Sequence, residues 1–448
     1  MSEKSDKHKK IVHQRVVAIT VTLLVVTAIG AGIGLGLSKL ADMIPAGNNN
    51  VVEATEAAVT EASSEDDWVD VSSDTADYSE ASTEVSADTV SDNTAETDPE
   101  IEAVISGMSI EQKVAQLFMI TPEELTGVAT VTAAGDSTEA ALKEKPVGGI
   151  IYFAKNIADP DQLTKMLTNM QNFSAQTEGM QIFLAVDEEG GSVSRVASNK
   201  NFDVEKFDDM ASVGEGGNLP DAYNVGNVIG SYLSGYGFNL DFAPVADVLT
   251  NPDNKVIGKR SFGSDPQLVA DMSWQMASGL QDTGVTACFK HFPGQGGTDG
   301  DTHTGTVSSD ETLDEMKQDM LIPFQNAVDS GALMIMASHV ECPQITGDDT
   351  PASLSSVMIT DVLRNDMGYN GIVITDSLQM QAVTDKYSPD EAAVMAIQAG
   401  DDMLLMPQDY DKAYQGIIDA VKAGTITEER INESLRRILK VKLGKTGN

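Results

Sequence analysis

Beyond residue 101, short apolar runs alternate with longer amphipathic stretches. The runs are rich in β-branched and aromatic residues, which predicts strands, and the stretches between them have the apolar spacing of helices. Strands are predicted at residues 149–153, 183–186, 238–244, 285–292, 333–340, 371–375 and 402–406. Helices are predicted at residues 266–282, 313–330, 390–399 and 428–441, and a capping box of Ser109 with Gln112 predicts one more. The alternation predicts parallel strands joined by helical crossovers.

Two parallel architectures fit this alternation, a (β/α)8 barrel and an open, doubly wound sheet. No G-x-G-x-x-G motif follows the first strand, which argues against a dinucleotide-binding sheet. Polar residues stand instead at the ends of successive predicted strands, and a barrel collects such residues on its catalytic face. They are Asp187-Glu188-Glu189, Lys290-His291, Ser338-His339 and Asp376-Ser377. We therefore predict a TIM-type α/β barrel, a single catalytic domain, over residues 101–448.

The first hundred residues have a different pattern. Residues 1–15 are basic, and residues 16–37 carry no charge, a length that spans about 33 Å as a helix. We predict a cytoplasmic tail at 1–15 and a transmembrane anchor at 16–38, with the domain on the outer side by the positive-inside rule. A cleaved signal peptide, which would make the protein secreted, is the alternative. Residues 39–100 are predicted to be a disordered acidic linker, since 42–100 contain 17 acidic and no basic residues.

Overall composition changes this picture in two respects. The 448 residues include 29 Lys and Arg against 69 Asp and Glu, a formal net charge of −40. Such acidity argues against a nucleic-acid partner, because binding phosphates requires basic contacts. The two cysteines, Cys288 and Cys342, cannot form a disulfide framework or a C-x-x-C zinc motif, and we expect free thiols.

Histidine placement supplies the first candidate chemistry. The domain has three histidines, His291, His303 and His339, all at or just beyond predicted strand ends. Asp301 precedes His303 by two positions in a glycine-rich loop, so the carboxylate can orient the imidazole for general acid/base catalysis. A calcium loop beginning at Asp299 is the alternative, but His303 and Thr304 occupy positions five and six, where an oxygen ligand and glycine belong. No H-x-x-x-H spacing suggests zinc.

Asp376 directly follows the predicted strand at 371–375. A carboxylate at a strand's end can serve as a nucleophile, or it can merely cap the next helix. Its position alone leaves both interpretations open.

Several segments together resemble glycoside hydrolase family 3, in the branch of bacterial β-N-acetylglucosaminidases. The resemblance covers residues 105–443, and six motifs occur in the family's order. They are Val186-Asp187-Glu188-Glu189-Gly190-Gly191, Asp241-Phe242-Ala243-Pro244-Val245-Ala246-Asp247-Val248, Val256-Ile257-Gly258-Lys259-Arg260-Ser261-Phe262-Gly263, Lys290-His291-Phe292-Pro293-Gly294, Pro351-Ala352-Ser353-Leu354-Ser355 and Ile374-Thr375-Asp376.

The resemblance implies a retaining exo-β-N-acetylglucosaminidase that uses a covalent glycosyl-enzyme intermediate. In this sequence Asp376 matches the nucleophile, His303 the acid/base and Asp301 its dyad partner. The residues that match sugar-binding positions are Asp187, Arg195, Arg260, Lys290 and His291. The implied substrates are terminal β-linked GlcNAc residues of peptidoglycan fragments or related glycans, and no cofactor or metal is implied.

The sequence also departs from the family's usual motifs. Gln295 stands within a loop that usually reads G-H-G, and Glu188 and Ser192 replace residues of a D-Q-E-G-G-R motif. Three alternatives therefore stay open: a β-glucosidase or β-xylosidase, a glycan-binding surface protein without catalysis, and transfer of the sugar to phosphate instead of water.

Overall fold

The computed structural model describes residues 98–446 of the protein. The predicted cytoplasmic tail, the predicted anchor at 16–38 and nearly all of the predicted linker lie outside the described residues. Within residues 98–446, no helix is long and apolar enough to cross a membrane.

Eight parallel strands form the centre of the domain. These eight and two further strands, β6 and β8, are in chain order β1 (Phe118–Ile120), β2 (Gly149–Ile151), β3 (Phe183–Val186), β4 (Leu240–Asp241), β5 (Thr286–Phe292), β6 (Val307–Ser308), β7 (Met334–Ala337), β8 (Val340–Glu341), β9 (Ile372–Thr375) and β10 (Leu404–Leu405). The sheet runs β10-β1-β2-β3-β4-β5-β7-β9, while β6 and β8 form a separate pair. A parallel bridge between Ile374 and Met403 joins the two outer strands of the sheet. The predicted barrel is confirmed.

Helices surround these strands. They are α1 (Pro99–Gly107), α2 (Ile110–Ala115), α3 (Pro122–Thr126), α4 (Asp136–Glu144), α5 (Pro160–Glu178), α6 (Met210–Gly216), α7 (Leu219–Tyr236), α8 (Pro266–Gln281), α9 (Leu313–Met316), α10 (Ile322–Asp329), α11 (Pro343–Thr346), α12 (Gln381–Thr384), α13 (Pro389–Ala399), α14 (Tyr410–Ala423) and α15 (Glu428–Lys442). A π-helix spans Val357–Asp366, and single 3-10 turns lie at Ala154–Asn156, Gly258–Arg260 and Ala352–Leu354. The predicted capping box is confirmed, since the Ser109 amide donates to Gln112 and the Gln112 amide donates to Ser109.

The core lies inside the barrel and between the barrel and its helices. Every residue of β5 is buried, as expected for a parallel strand covered on both faces. Phe289 of β5 stacks on Trp274 of α8, and Phe292 meets Phe324 of α10 edge-on with 5.5 Å between ring centroids. Cys288 and Cys342 are buried free thiols, as predicted.

Three of the local differences between the structure and the sequence prediction concern β1, the predicted helix at 313–330 and residues 125–145. Strand β1 was missed, because its three residues follow α2 directly and give no alternating pattern of their own. The predicted helix at 313–330 is two helices, α9 and α10, since Pro323 in the first turn of α10 lacks the N–H that a continuous helix needs. Residues 125–145 are polar and rich in Ala, Thr and Gly, which predicts a loop, but they contain α4, which buries Thr138 and Leu142.

Candidate active site

A cavity of about 480 Å³ opens where the barrel strands end. Its lining includes every predicted sugar-binding residue, the predicted acid/base and the predicted nucleophile: Asp187, Arg195, Arg260, Lys290, His291, His303 and Asp376. Parallel strands bring their carboxyl ends to one edge of a barrel, so residues distant in sequence meet there. Asp301 is outside this lining and contacts His303 from the loop that carries both.

The charged wall of the cavity centres on Lys290, near the end of β5. Its ammonium lies 3.0 Å from Asp187 Oδ1 and 2.6 Å from Glu189 Oε1. The Arg260 guanidinium donates two hydrogen bonds of 2.8 Å each to the same Glu189 carboxylate. Burial raises the pKa of Glu189, but Lys290 and Arg260 outweigh that effect and bring the pKa well below its usual value. Glu189 therefore stays ionised and fixes both cations at the cavity.

Replacing Lys290 with methionine is expected to destabilise the fold by about 3–5 kcal/mol, because the buried Glu189 and the partly buried Asp187 lose their shared partner. Urea denaturation monitored by circular dichroism measures the change. The control is Lys143→Met, which removes an exposed ion pair with Glu139 and should cost no more than about 0.5 kcal/mol. Equal stabilities of the two variants would contradict this view of Lys290.

His291 is held by a buried carboxylate, that of Asp247. Asp247 Oδ2 lies 2.7 Å from His291 Nδ1, and its other oxygen accepts a 2.6 Å hydrogen bond from the Gln295 amide. A guanidinium can only donate, and Arg260 Nη2 lies 3.4 Å from His291 Nε2, so Nδ1 is the nitrogen that carries the proton. With its protonation fixed in this way, the His291 ring lies at the cavity wall.

Gln295 departs from the family's motif without disturbing this support. Its backbone amide donates to Asp247 and its carbonyl accepts from Asn254 Nδ2 at 2.7 Å, contacts that do not depend on the side chain. Gly296 follows at a close approach, where an added Cβ would stand 1.9 Å from the Val248 carbonyl oxygen. The loop path therefore rests on backbone contacts and glycine, and Gln295 is among the residues that line the cavity.

Glu188 organises the segment that carries Arg195. Its carboxylate accepts the amides of Arg195, Val196 and Ala197 at 2.5–2.8 Å, and the Tyr232 hydroxyl at 2.9 Å. A carboxylate can accept all four bonds, so this departure from the family's motif has a local structural reason. Ser192 is exposed and its amide donates to Asp209, away from the cavity lining.

His303 and Asp301 form a contact inside the loop between β5 and β6. His303 Nδ1 lies 2.8 Å from Asp301 Oδ1, and the His303 amide donates to the same oxygen at 2.9 Å. Partial burial raises the pKa of Asp301, but both His303 bonds outweigh it and the pKa is lowered. An ionised Asp301 fixes the proton on Nδ1 and leaves Nε2 to exchange a proton with a ligand. The spacing of two residues predicted this contact.

Asp376 follows β9 and lines the same cavity. Its amide donates to the Ala337 carbonyl at 2.7 Å, and its own Oδ1 accepts the Ser377 amide at 2.7 Å. Burial raises the pKa of Asp376, whereas neighbouring side chains, Lys290 among them, and the Ser377 amide lower it, and the net shift of the pKa is downward. Asp376 thus presents an ionised carboxylate, as a nucleophile requires.

The predicted residues did not include Glu189 or Asp247. Both stand inside quoted motifs, but neither has a distinguishing position in the sequence. The sequence could have indicated that such carboxylates exist, because a lysine and a histidine in a fully buried strand require carboxylates nearby. Which of the several acidic residues would supply them depends on the barrel's geometry.

The calcium alternative finds no geometric support in the described part of the chain. Asp299 accepts a 2.7 Å hydrogen bond from Asn251, and Asp301 contacts His303. Among residues 98–446, no three histidine, cysteine, aspartate or glutamate side chains come together as metal ligands.

Comparison with known proteins places this geometry in a family. Residues 109–441 match the model for the glycosyl hydrolase family 3 N-terminal domain. Beta-hexosaminidase A of Pseudoalteromonas piscicida is 29% identical over 339 residues, which cover 70% of this chain and 56% of that protein. The beta-hexosaminidase LpqI of Mycobacterium tuberculosis is 32% identical over 75% of this chain and 83% of its own.

A solved structure gives the same result. The family 3 β-N-acetylglucosaminidase from Paenibacillus sp. str. FPU-7 superposes with a TM-score of 0.70 and 36% identity, over 75% of this chain and 62% of that one. The chain thus spans less than two thirds of the Pseudoalteromonas protein and of the Paenibacillus structure.

Proposed function

The chain belongs to glycosyl hydrolase family 3, and on that premise we propose that it is a retaining exo-β-N-acetylglucosaminidase. Its substrate is a glycan with a terminal β-linked GlcNAc, and peptidoglycan fragments are the proposed natural source. One observation carries the proposal most directly: the histidine of a histidine–aspartate pair and an ionised aspartate line a single charged cavity.

The first step forms a glycosyl-enzyme. Asp376 attacks the anomeric carbon with a carboxylate oxygen, the glycosidic bond breaks, and His303 donates the Nε2 proton to the leaving oxygen. The Asp301 carboxylate stabilises the imidazolium before transfer and keeps the remaining proton on Nδ1. Most glycosidases use a carboxylic acid in this role, so a histidine at the cavity distinguishes this chain from them.

The second step reverses these roles. Water attacks the anomeric carbon, the ester bond to Asp376 breaks, and His303 Nε2 takes the proton from the water. Asp376 is again a carboxylate and His303 again carries a proton on both nitrogens. Attack from the face opposite to Asp376 retains the β configuration.

Sugar recognition is assigned to the charged wall. Asp187, Arg195 and Lys290 present donors and acceptors to hydroxyl and acetamido groups, and hydrogen bonds to charged groups contribute about 1.5–3 kcal/mol each. Their mutual ion pairs fix these side chains before the sugar arrives, which lowers the entropy lost on binding.

The decisive measurement is a comparison of nitrophenyl β-GlcNAc with nitrophenyl β-glucoside and β-xyloside on the full chain. We expect hydrolysis of the GlcNAc substrate to exceed that of the others by about 10²-fold or more, because polar groups fitted to the acetamide are left unpaired by a plain hydroxyl. Release of free GlcNAc from peptidoglycan fragments, with and without added phosphate, identifies the natural substrate class and the acceptor.

Each alternative gives a different result in this panel. Faster glucoside or xyloside cleavage would make the chain a β-glucosidase or β-xylosidase. Binding of GlcNAc oligomers without release of GlcNAc would make it a non-catalytic glycan-binding protein. Formation of GlcNAc-1-phosphate would show that phosphate replaces water.

A further inference from the structure

His339, just beyond β7, is the domain's third histidine and has no role in the chemistry above. Its side chain is completely buried, as is that of Ser353 in the 3-10 turn Ala352–Leu354. A buried imidazole needs partners for both ring nitrogens, and these partners identify what the ring supports.

The two hydrogen bonds of His339 determine its protonation pattern. Nε2 lies 2.9 Å from the Ser377 carbonyl oxygen, and Nδ1 lies 2.7 Å from the Ser353 hydroxyl. A carbonyl oxygen can only accept, so Nε2 carries the proton. Burial lowers the pKa of His339, which favours the neutral ring. In a neutral ring Nδ1 is the acceptor, and the Ser353 hydroxyl donates to it.

The Ser377 carbonyl belongs to the residue that follows Asp376. On the other side, the Asp376 amide donates to the Ala337 carbonyl, and the Ser377 amide donates to the Asp376 carboxylate. The Ser377 carbonyl accepts two hydrogen bonds, one from His339 Nε2 and one from the Met380 amide at 3.1 Å. His339 is therefore the side chain that holds the residue directly after Asp376. Rotation at Ser377 would move the amide that orients the carboxylate.

Ser353 is itself held in place. Its backbone amide donates to the Ser338 carbonyl at 2.9 Å, and Glu341 pairs with Pro351 just before the 3-10 turn. The hydroxyl is thus presented to His339 from a fixed backbone, directly beside the end of β7. Bulk water does not compete for this hydroxyl, because the side chains of His339 and Ser353 are both fully buried.

We propose that Ser353 and His339 are positioning residues for Asp376. The Ser353 hydroxyl fixes the Nε2–H form of His339, and that N–H holds the Ser377 carbonyl so that the carboxylate points at the anomeric carbon. The inference rests on the proposed function, because it assigns a support to the nucleophile named there.

Ser353→Ala removes one hydroxyl from the far side of His339 and touches neither substrate nor Asp376. Without that donor the imidazole can protonate on Nδ1, and the Ser377 carbonyl then loses its side-chain donor and keeps only the Met380 amide at 3.1 Å. We expect the rate constant for trapping by a fluorinated N-acetylglucosaminyl fluoride to fall by about 10- to 100-fold, as small misplacements of reacting groups do.

Two features of the experiment separate positioning from a merely structural role. Only folded molecules react with the inhibitor, so the rate constant for trapping does not change when a smaller fraction of the protein is folded. The loss should also be the same with nitrophenyl and dinitrophenyl GlcNAc, because a misplaced nucleophile is not corrected by a better leaving group. Ser353→Thr keeps the hydroxyl and should recover most of the rate.

The matched control is Ser355→Ala, in the same segment and also buried. It should trap the inhibitor at the unmodified rate. A normal trapping rate in Ser353→Ala, or an equal loss in Ser355→Ala, would overturn the proposal. Failure of the proposed function is distinguishable, because Asp376→Ala would then remain active whatever the Ser353 variants show.

Discussion

Asp376→Ala is expected to lower the turnover of nitrophenyl β-GlcNAc by about 10⁴-fold or more, because removing a nucleophile removes the covalent route. Asp376 is the carboxylate held at the end of β9 by the Ala337 carbonyl and the Ser377 amide, with a lowered pKa that keeps it ionised. No movement of the chain is needed to place it in the cavity.

The direct measurement is mass spectrometry of the protein after reaction with the fluorinated inhibitor. The label should appear on the peptide containing Asp376 and be absent from Asp376→Ala. The control is Asp385→Ala, an exposed carboxylate nine residues further along, which should react like the unmodified protein. A label on a different residue would exclude Asp376 as the nucleophile.

His303→Ala and Asp301→Ala are each expected to lower kcat/KM for nitrophenyl β-GlcNAc by about 10²- to 10⁴-fold, as positioned acid/base groups do. The physical reason is the 2.8 Å bond between His303 Nδ1 and Asp301 Oδ1, which leaves Nε2 to exchange the proton. In the double variant the loss of kcat/KM should be close to that of one single variant, because both substitutions remove the same proton transfer.

A dinitrophenyl leaving group departs without protonation, so it should restore most of the first-step rate in His303→Ala. Asp310→Ala is the control, since Asp310 is exposed, follows the same loop and occupies position 12 of a calcium loop that would begin at Asp299. Loss of activity in Asp310→Ala together with normal activity in His303→Ala would favour a metal loop over the dyad.

The dyad was predictable because its geometry is local. Two residues in a glycine-rich turn can make both bonds to one oxygen whatever surrounds them, so Asp301 and His303 could be paired from spacing alone. The strands β2, β3, β5 and β9 were predictable for a similar reason, since each is a short apolar run bounded by polar residues.

Other parts of the site had no local signal. Glu189 supports Lys290 across 101 positions of sequence, and Asp247 supports His291 across 44. Their partners are chosen by which strand ends lie side by side in the barrel. Strand β1 was missed because three buried residues cannot reveal a period, and its pairing with β10 joins opposite ends of the domain.

The sequence by itself determined the barrel class, the dyad and the position of Asp376 at a strand's end, because alternation and short spacing act through neighbouring residues. Only the tertiary structure decided which carboxylates keep Lys290 and Arg260 in place, what Glu188 supports, and how His339 reaches Ser377. Those contacts are set by long-range pairing and by burial, which turns a solvated charge or carbonyl into a group that must find one specific partner.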